Sequence, residues 1–132
     1  MNTNYFLDCV AGGVFQSPSA SLPNEFYIGL STTTPSADGT GVTEPSSSAG
    51  YKRIKLLSIS EPAGGVVSNS SSITFDESTA SWGVVTHFVI FDALSGGNLL
   101  IFGELSSPRT VEADTIMAIK EGYLKLSVQN PA

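Results

Sequence analysis

With 132 residues, 41% of them hydrophobic and only 14% charged, the chain has material for one core and one domain. Charge is scarce against the roughly 25% usual in globular proteins, so hydroxyl side chains must cover much of the exterior. A formal net charge of −6 with six Lys and Arg excludes the broad basic face that nucleic acid requires, and the single Cys9 excludes an internal disulfide or a cysteine-rich metal site.

Asn2 or Thr3 can cap a short helix with an apolar stripe of Tyr5, Phe6, Cys9 and Val10, which Gly12-Gly13 should end. That stripe either docks the subunit on a partner or caps its own core. The run Tyr5 to Phe15 has no Lys or Arg before it, carries Asp8 and is too short to span a bilayer, so neither a signal peptide nor a membrane anchor is expected. Gln16 to Asn24, with Pro18 and Pro23, reads as a connector. Residues 1–24 are thus helix and connector, within a single domain over 1–132.

Phe26, Ile28 and Leu30 alternate with Tyr27 and Gly29 as a first strand. Pro35 to Gly50 is then a long excursion in turn-forming residues. Loops of such length are often functional, which makes Pro35, Asp38, Thr40, Val42, Glu44 and Pro45 candidate contact residues. The plain alternative is a solvated surface loop. Tyr51 to Ile59 returns to strand with a bulge expected near Leu56-Leu57. Val66-Val67 and Ile73 to Phe75 follow as short strands, with Glu61 to Gly65 turning the chain before them.

Ser81 to Pro108 reads as two long strands joined at Ser95-Gly96-Gly97-Asn98. Trp82, Val84, Thr86, Phe88 and Ile90 fall on one face, and Val85, His87, Val89 and Phe91 on the other. Both faces are largely apolar, so this strand should be central. Arg109 to Glu112, Thr115 to Lys120 and Leu124 to Val128 complete the set. About eight short strands at this spacing predict an all-β fold, an antiparallel β-sandwich of jelly-roll or immunoglobulin-like type, with one short N-terminal helix.

No constellation points to catalysis. His87 lies in mid-strand, without the Gly-x-Ser-x-Gly elbow that would mark a hydrolase nucleophile. Asp76-Glu77 and Glu112 with Asp114 are better read as solvated turn residues than as glycosidase carboxylates or calcium ligands. Trp82 opens an apolar alternation and reads as packing rather than as a sugar platform. Asn69-Ser70-Ser71 matches a glycosylation sequon, relevant only in a eukaryotic secretory route. No catalytic residue, cofactor or metal is expected.

Several blocks in order resemble a known family. They are Tyr27-Ile-Gly-Leu-Ser-Thr-Thr-Thr-Pro35, Asp38-Gly-Thr-Gly-Val-Thr-Glu-Pro45, Gly50-Tyr51-Lys-Arg53, Ile73-Thr-Phe75, Ser81-Trp-Gly-Val-Val-Thr-His-Phe88, Ile90-Phe-Asp92 and Gly96-Gly-Asn-Leu-Leu100. Together, from about Phe26 to Val128, they resemble small bacteriophage virion structural proteins commonly labelled tail-fibre proteins. The resemblance implies a non-enzymatic subunit, made in the host bacterial cytoplasm and assembled on the virion as a homo-oligomer, a trimer or a hexamer, beside other virion proteins. A capsid decoration protein, or a module that binds a host receptor or surface glycan, is the alternative that it leaves open.

Overall fold

The computed structural model describes residues 2–15, 25–56, 59–60 and 66–127. The connector Gln16 to Asn24, the Leu56-Leu57 bulge, the Glu61 to Gly65 turn and the end of the last strand at Val128 lie wholly or partly outside those residues. The chain is all-β and antiparallel, with one helix at its N-terminus. Among the described residues, helix α1 (Asn4–Phe15) precedes strands β1 (Tyr27–Ser31), β2 (Ile54–Lys55), β3 (Val66–Ser68) and β4 (Ile73–Thr74). Strands β5 (Gly83–Phe91), β6 (Leu99–Val111), β7 (Ala118–Ile119) and β8 (Lys125–Ser127) follow. No described helix is long and apolar enough to cross a membrane.

The main sheet has the order β2-β1-β5-β6, and β3 with β8 and β4 with β7 form two-stranded ribbons. Strand β5 is therefore central, as its two apolar faces require. Ile28, Ile90 and Ile101 stand in register across three strands, and Gly29, Val89 and Phe102 form the next row, pointing the other way. The first face packs on the main core, where Phe75, Leu124 and Leu126 arrive from the ribbon segments. Val89, Phe91, Leu99 and Phe102 form a second cluster, which Val42 of the long loop covers. Both faces are thus buried, each aliphatic side chain contributing about 1.5–3 kcal/mol.

Thr3 caps α1: its Oγ1 accepts from the Phe6 amide at 3.3 Å while its hydroxyl reaches the Leu99 and Leu100 carbonyls at 2.6 and 3.0 Å. The Thr3 amide also donates to Leu100, and Asn2 bridges Ile101, so the N-terminus lies along the start of β6. The helix does not end at Gly12-Gly13 but runs through both to Phe15. Glycine lowers helix stability by about 1 kcal/mol without forcing a break, and a packed face outweighs that cost.

A second departure concerns Pro108, expected to end a strand and observed inside β6. The pairing jumps from His87 with Glu104 to Val85 with Arg109, which leaves Leu105 to Pro108 opposite Thr86 alone. Proline has no amide to give a ladder, and a bulge is where a strand tolerates it. The remaining strands are shorter than their apolar runs suggest. Among the described residues, Tyr51 to Ile59 holds Ile54–Lys55 and an isolated Ile59 bridge to Asn69, and Thr115 to Lys120 holds Ala118–Ile119.

Candidate functional site

The Pro35 to Gly50 loop is folded onto the sheet by hydroxyl groups, and the sequence explains why. A run of Ser31-Thr-Thr-Thr places short donors and acceptors beside a loop without a strand partner. Ser31 Oγ donates to the Thr33 carbonyl at 2.7 Å and accepts from the Thr33 and Thr43 amides at 3.2 and 3.1 Å. Thr32 N donates to Thr43 O at 2.9 Å, and Thr33 Oγ1 to Gly41 O at 2.5 Å. The far side of the loop meets the helix start, where Asn4 N donates to Ala37 O at 2.8 Å.

The loop tip is a tight turn from Ser36 to Thr40, closed by Gly39 N to Ser36 O and Ser36 N to Thr40 O. Asp38 Oδ1 accepts from the Thr40 hydroxyl at 2.6 Å and the Thr40 amide at 3.0 Å. The Thr40 hydroxyl above all, and then its amide, hold the Asp38 carboxyl below its ordinary pKa. Gly41 takes φ +86°, and a Cβ there would lie 2.7 Å from the Thr34 carbonyl, so only glycine fits this reversal.

Beyond Val42 the loop is fastened by charge. Glu44 accepts the Tyr51 hydroxyl at 2.5 Å and grips the Arg53 guanidinium at 2.7 and 3.0 Å through both carboxylate oxygens. Arg53 also donates to the Ala93 and Gly96 carbonyls at 2.8 and 2.7 Å, in the β5–β6 turn, and its plane lies 3.6 Å from the centre of the Phe91 ring. One buried arginine therefore joins the loop, the segment before β2 and the hairpin turn. The Tyr51 phenol is pushed above its ordinary pKa by burial first and by its bond to Glu44 second, while the Leu30 amide donates to the same oxygen at 3.0 Å. That oxygen sits where a Cβ of residue 29 would be, which is why β1 carries Gly29.

Gly50 ends a 3₁₀ turn (Ser47–Ala49) whose last carbonyl, on Ala49, accepts from the Trp82 indole at 2.9 Å and the Thr79 amide at 2.8 Å. Trp82 is a core residue, edge-on to Tyr51 with ring centres 5.4 Å apart.

Of the candidate contact residues, Asp38 and Thr40 are exposed, Val42, Glu44 and Pro45 half-buried, and Pro35 buried. They share one loop but not one surface. On α1, Phe6 is buried and Val10 packs against the core, Cys9 is half-buried and Tyr5 is exposed. The Cys9 thiol one turn on raises the Tyr5 phenol above its ordinary pKa. Glu44 is distinguished by partners that sequence reasoning did not single out, Tyr51 and Arg53. Both lie in the Gly50 to Arg53 block, whose aromatic-basic composition was the available signal.

Pairing sets Ser31, His87 and Glu104 in one row across β1, β5 and β6, the residue types of a hydrolytic triad. Their bonds run elsewhere. The Ser31 hydroxyl is committed to the loop, and His87 Nδ1 lies 2.8 Å from Thr86 Oγ1. Among the described residues no ion pair joins His87 to Glu104, and no group of three or more His, Cys, Asp or Glu could hold a metal. Asp76 pairs with Lys52 at 3.1 Å on the surface, and Glu77, Glu112 and Asp114 are exposed. The sequon residue Asn69 is buried, bonding the Ser71 and Lys120 carbonyls and accepting from the Leu124 amide at 3.0 Å.

Compared with known proteins, residues 2–127 match a family model described as podophage GP4 fiber I protein gp80. No curated protein matches the chain.

Proposed function

The chain belongs to the podophage GP4 fiber I protein gp80 family, and from that premise we propose that it is a non-catalytic subunit assembling with its own copies into a tail or fibre-type appendage. Membership of a phage fibre family makes it a structural component of a virion. The observation that carries the reading is the extent of the match, which takes in the helix, every described strand and the long loop. We assign it a closed trimer or hexamer, because identical subunits assemble with closed symmetry and a phage particle offers threefold and sixfold environments. It is made in the host bacterial cytoplasm before assembly.

The surfaces offered to neighbours are the exposed tip at Asp38 and Thr40 and the outer face of α1 at Tyr5. The tip is braced by the Asp38–Thr40 bonds and the start of α1 by the Thr3 cap, so each copy presents the same backbone there. Light scattering on the purified chain across a concentration series tests this, with a mass of three or six subunits expected. A monomer at every concentration, with no added copies in density for the intact particle, overturns it. Density on the capsid shell alone makes the chain a decoration protein instead.

A further inference from the structure

A ring of three or six identical subunits is not built from one self-complementary patch, because such a patch closes a pair. It needs two different patches that fit each other. The assembly proposed above therefore calls for a second surface, unlike the Asp38 tip and complementary to it. The tip itself is an acidic knob. Asp38, Gly39 and Thr40 are exposed at the end of the loop. The Thr40 hydroxyl and amide both bond Asp38 Oδ1, so the turn is held through one oxygen and the other can take a charged partner. Those bonds also keep the carboxyl ionised at neutral pH.

A complementary surface lies on β6. Between its bulge and the segment from β7 to β8 is a groove of about 520 Å³. Clefts of about 300–1,000 Å³ enclose a small group, and the three residues of a turn tip are of that size. The groove is lined by apolar Leu105, Met117 and Ile119 and by Tyr123, which is 75% exposed. Arg109 and Lys120 line it with a single carboxylate, Glu104, two cations to one anion in a chain of net charge −6. An acidic knob and a basic-walled groove attract each other, where most of the surface of two such chains repels.

Within one chain the two surfaces are kept apart by β6. Asn4 N donates to Ala37 O beside the tip, and Thr3 N donates to Leu100 O, so the tip belongs to the start of that strand. The groove is built further along, from Glu104 to Arg109. At about 3.3 Å per residue, Leu100 to Ser106 spans up to about 20 Å. Each copy thus offers a knob and a groove at separate places, as a head-to-tail contact requires. We infer that the Asp38 tip of one copy docks in the Glu104 to Arg109 groove of the next. The Asp38 carboxylate meets the Arg109 guanidinium, with Lys120 beside it, and the Tyr123 ring lies over Gly39. No atom approaches the place of a Gly39 Cβ, which leaves that backbone open to a flat ring. Arginine and tyrosine are the anchors that such contacts most often use. The inference rests on the assembly reading and names the contact that produces it.

Light scattering on the purified full chain, across a concentration series at low and high salt, tests this with charge-reversed variants. The parent should assemble, and less tightly as salt rises. Asp38→Asn keeps an oxygen for the Thr40 bonds while removing the charge. It, Arg109→Ala and Tyr123→Ala should each raise the dissociation constant about tenfold. Glu104→Gln should lower it about threefold by removing a charge like that of Asp38. Asp38→Arg and Arg109→Asp should each be monomeric where the parent is assembled, and the two together in one chain should restore assembly. Glu25→Arg changes the net charge equally outside both surfaces and should assemble as the parent does. Trp82 fluorescence confirms the folding of every variant. The inference is overturned if both reversals assemble as the parent does, or if combining them restores nothing, and in either case the assembly reading stands. A parent that is monomeric at every concentration overturns it too, and that result alone counts against the assembly reading. Growth without limit that both reversals abolish supports the contact and makes it open rather than closed.

Discussion

Replacing Arg53 by alanine removes more than a charge. The side chain is 7% exposed and makes two bonds to Glu44 and two to the β5–β6 turn, besides covering Phe91. Breaking a buried pair from one side costs about 3–5 kcal/mol, because the surviving carboxylate stays desolvated. Glu44 retains the Tyr51 hydroxyl and is 22% exposed, so the lower end applies, about 3 kcal/mol. With a urea slope of about 2 kcal/mol/M for a chain of this size, the midpoint should fall by about 1.5 M. Arg53→Lys should recover less than half of that, because an ammonium cannot reach both the carboxylate and two turn carbonyls with a fixed fork. Glu44→Gln should cost about 1–2 kcal/mol, and the cycle with Arg53→Ala should show coupling above about 1 kcal/mol. Urea unfolding followed by the single Trp82 measures all four variants. A loss below about 1 kcal/mol for Arg53→Ala would place the pair among ordinary surface ion pairs and refute the buried-buckle account.

Other consequences of the same geometry are separately measurable. Tyr51 keeps its proton in the folded chain where an unfolded tyrosine loses it, so stability should be level below about pH 10 and decline above it. Tyr51→Phe should flatten that decline in denaturation curves taken from pH 8 to 11. Gly29→Ala should cost about 1–3 kcal/mol, since a Cβ there runs into the Tyr51 hydroxyl and comes 3.0 Å from Glu44 Oε2. Combining it with Tyr51→Phe should recover part of the loss, and no recovery would argue against this contact as the cause. Thr3→Ala should cost about 1–2 kcal/mol and speed amide exchange in α1 ahead of the sheet, with Thr3→Ser close to the parent.

The central strand, the first strand and the Thr3 cap were legible because each depends on neighbours in sequence. Apolar residues along Gly83–Phe91 fall on both faces, and only an interior strand can bury both. The expected alternation nevertheless fails at its start: Val84 is exposed and Val85 packs with Ile90 rather than with Val89 and Phe91, beyond the register jump at Thr86. The hairpin turn was legible for the same reason, in Gly96 and Gly97, which take φ of 64° and 75°. What stayed hidden depends on distance. Val66 pairs with Ser127 and Ile73 with Ile119, and nothing local encodes such pairings. The β6 register jump was likewise invisible, since Pro108 signals a break but not whether the strand resumes on the same partner. Glu44 stands out in the sequence only as a candidate contact residue of the loop, and its bonds to Arg53 are hidden there because a single sequence cannot say which charges meet.

The abundance of serine and threonine deserves a different explanation from the one that composition suggests. Scarce charge implied a hydroxyl-coated exterior, but several of these groups work inside. Ser31 and Thr3 are buried and bond loop or helix backbone, and buried Ser78 bonds the Glu112 and Thr115 carbonyls while accepting the Thr115 amide at 3.0 Å. They satisfy backbone groups that the short strands leave without a ladder partner. Long loops thereby lose their conformational freedom during folding rather than during association. Association is weakened by whatever ordering it must still impose, so a subunit whose loops are already fixed can join its copies through modest surfaces. Little charge, few long strands and many internal hydroxyl bonds are in that sense one solution to making a small chain a repeated building unit.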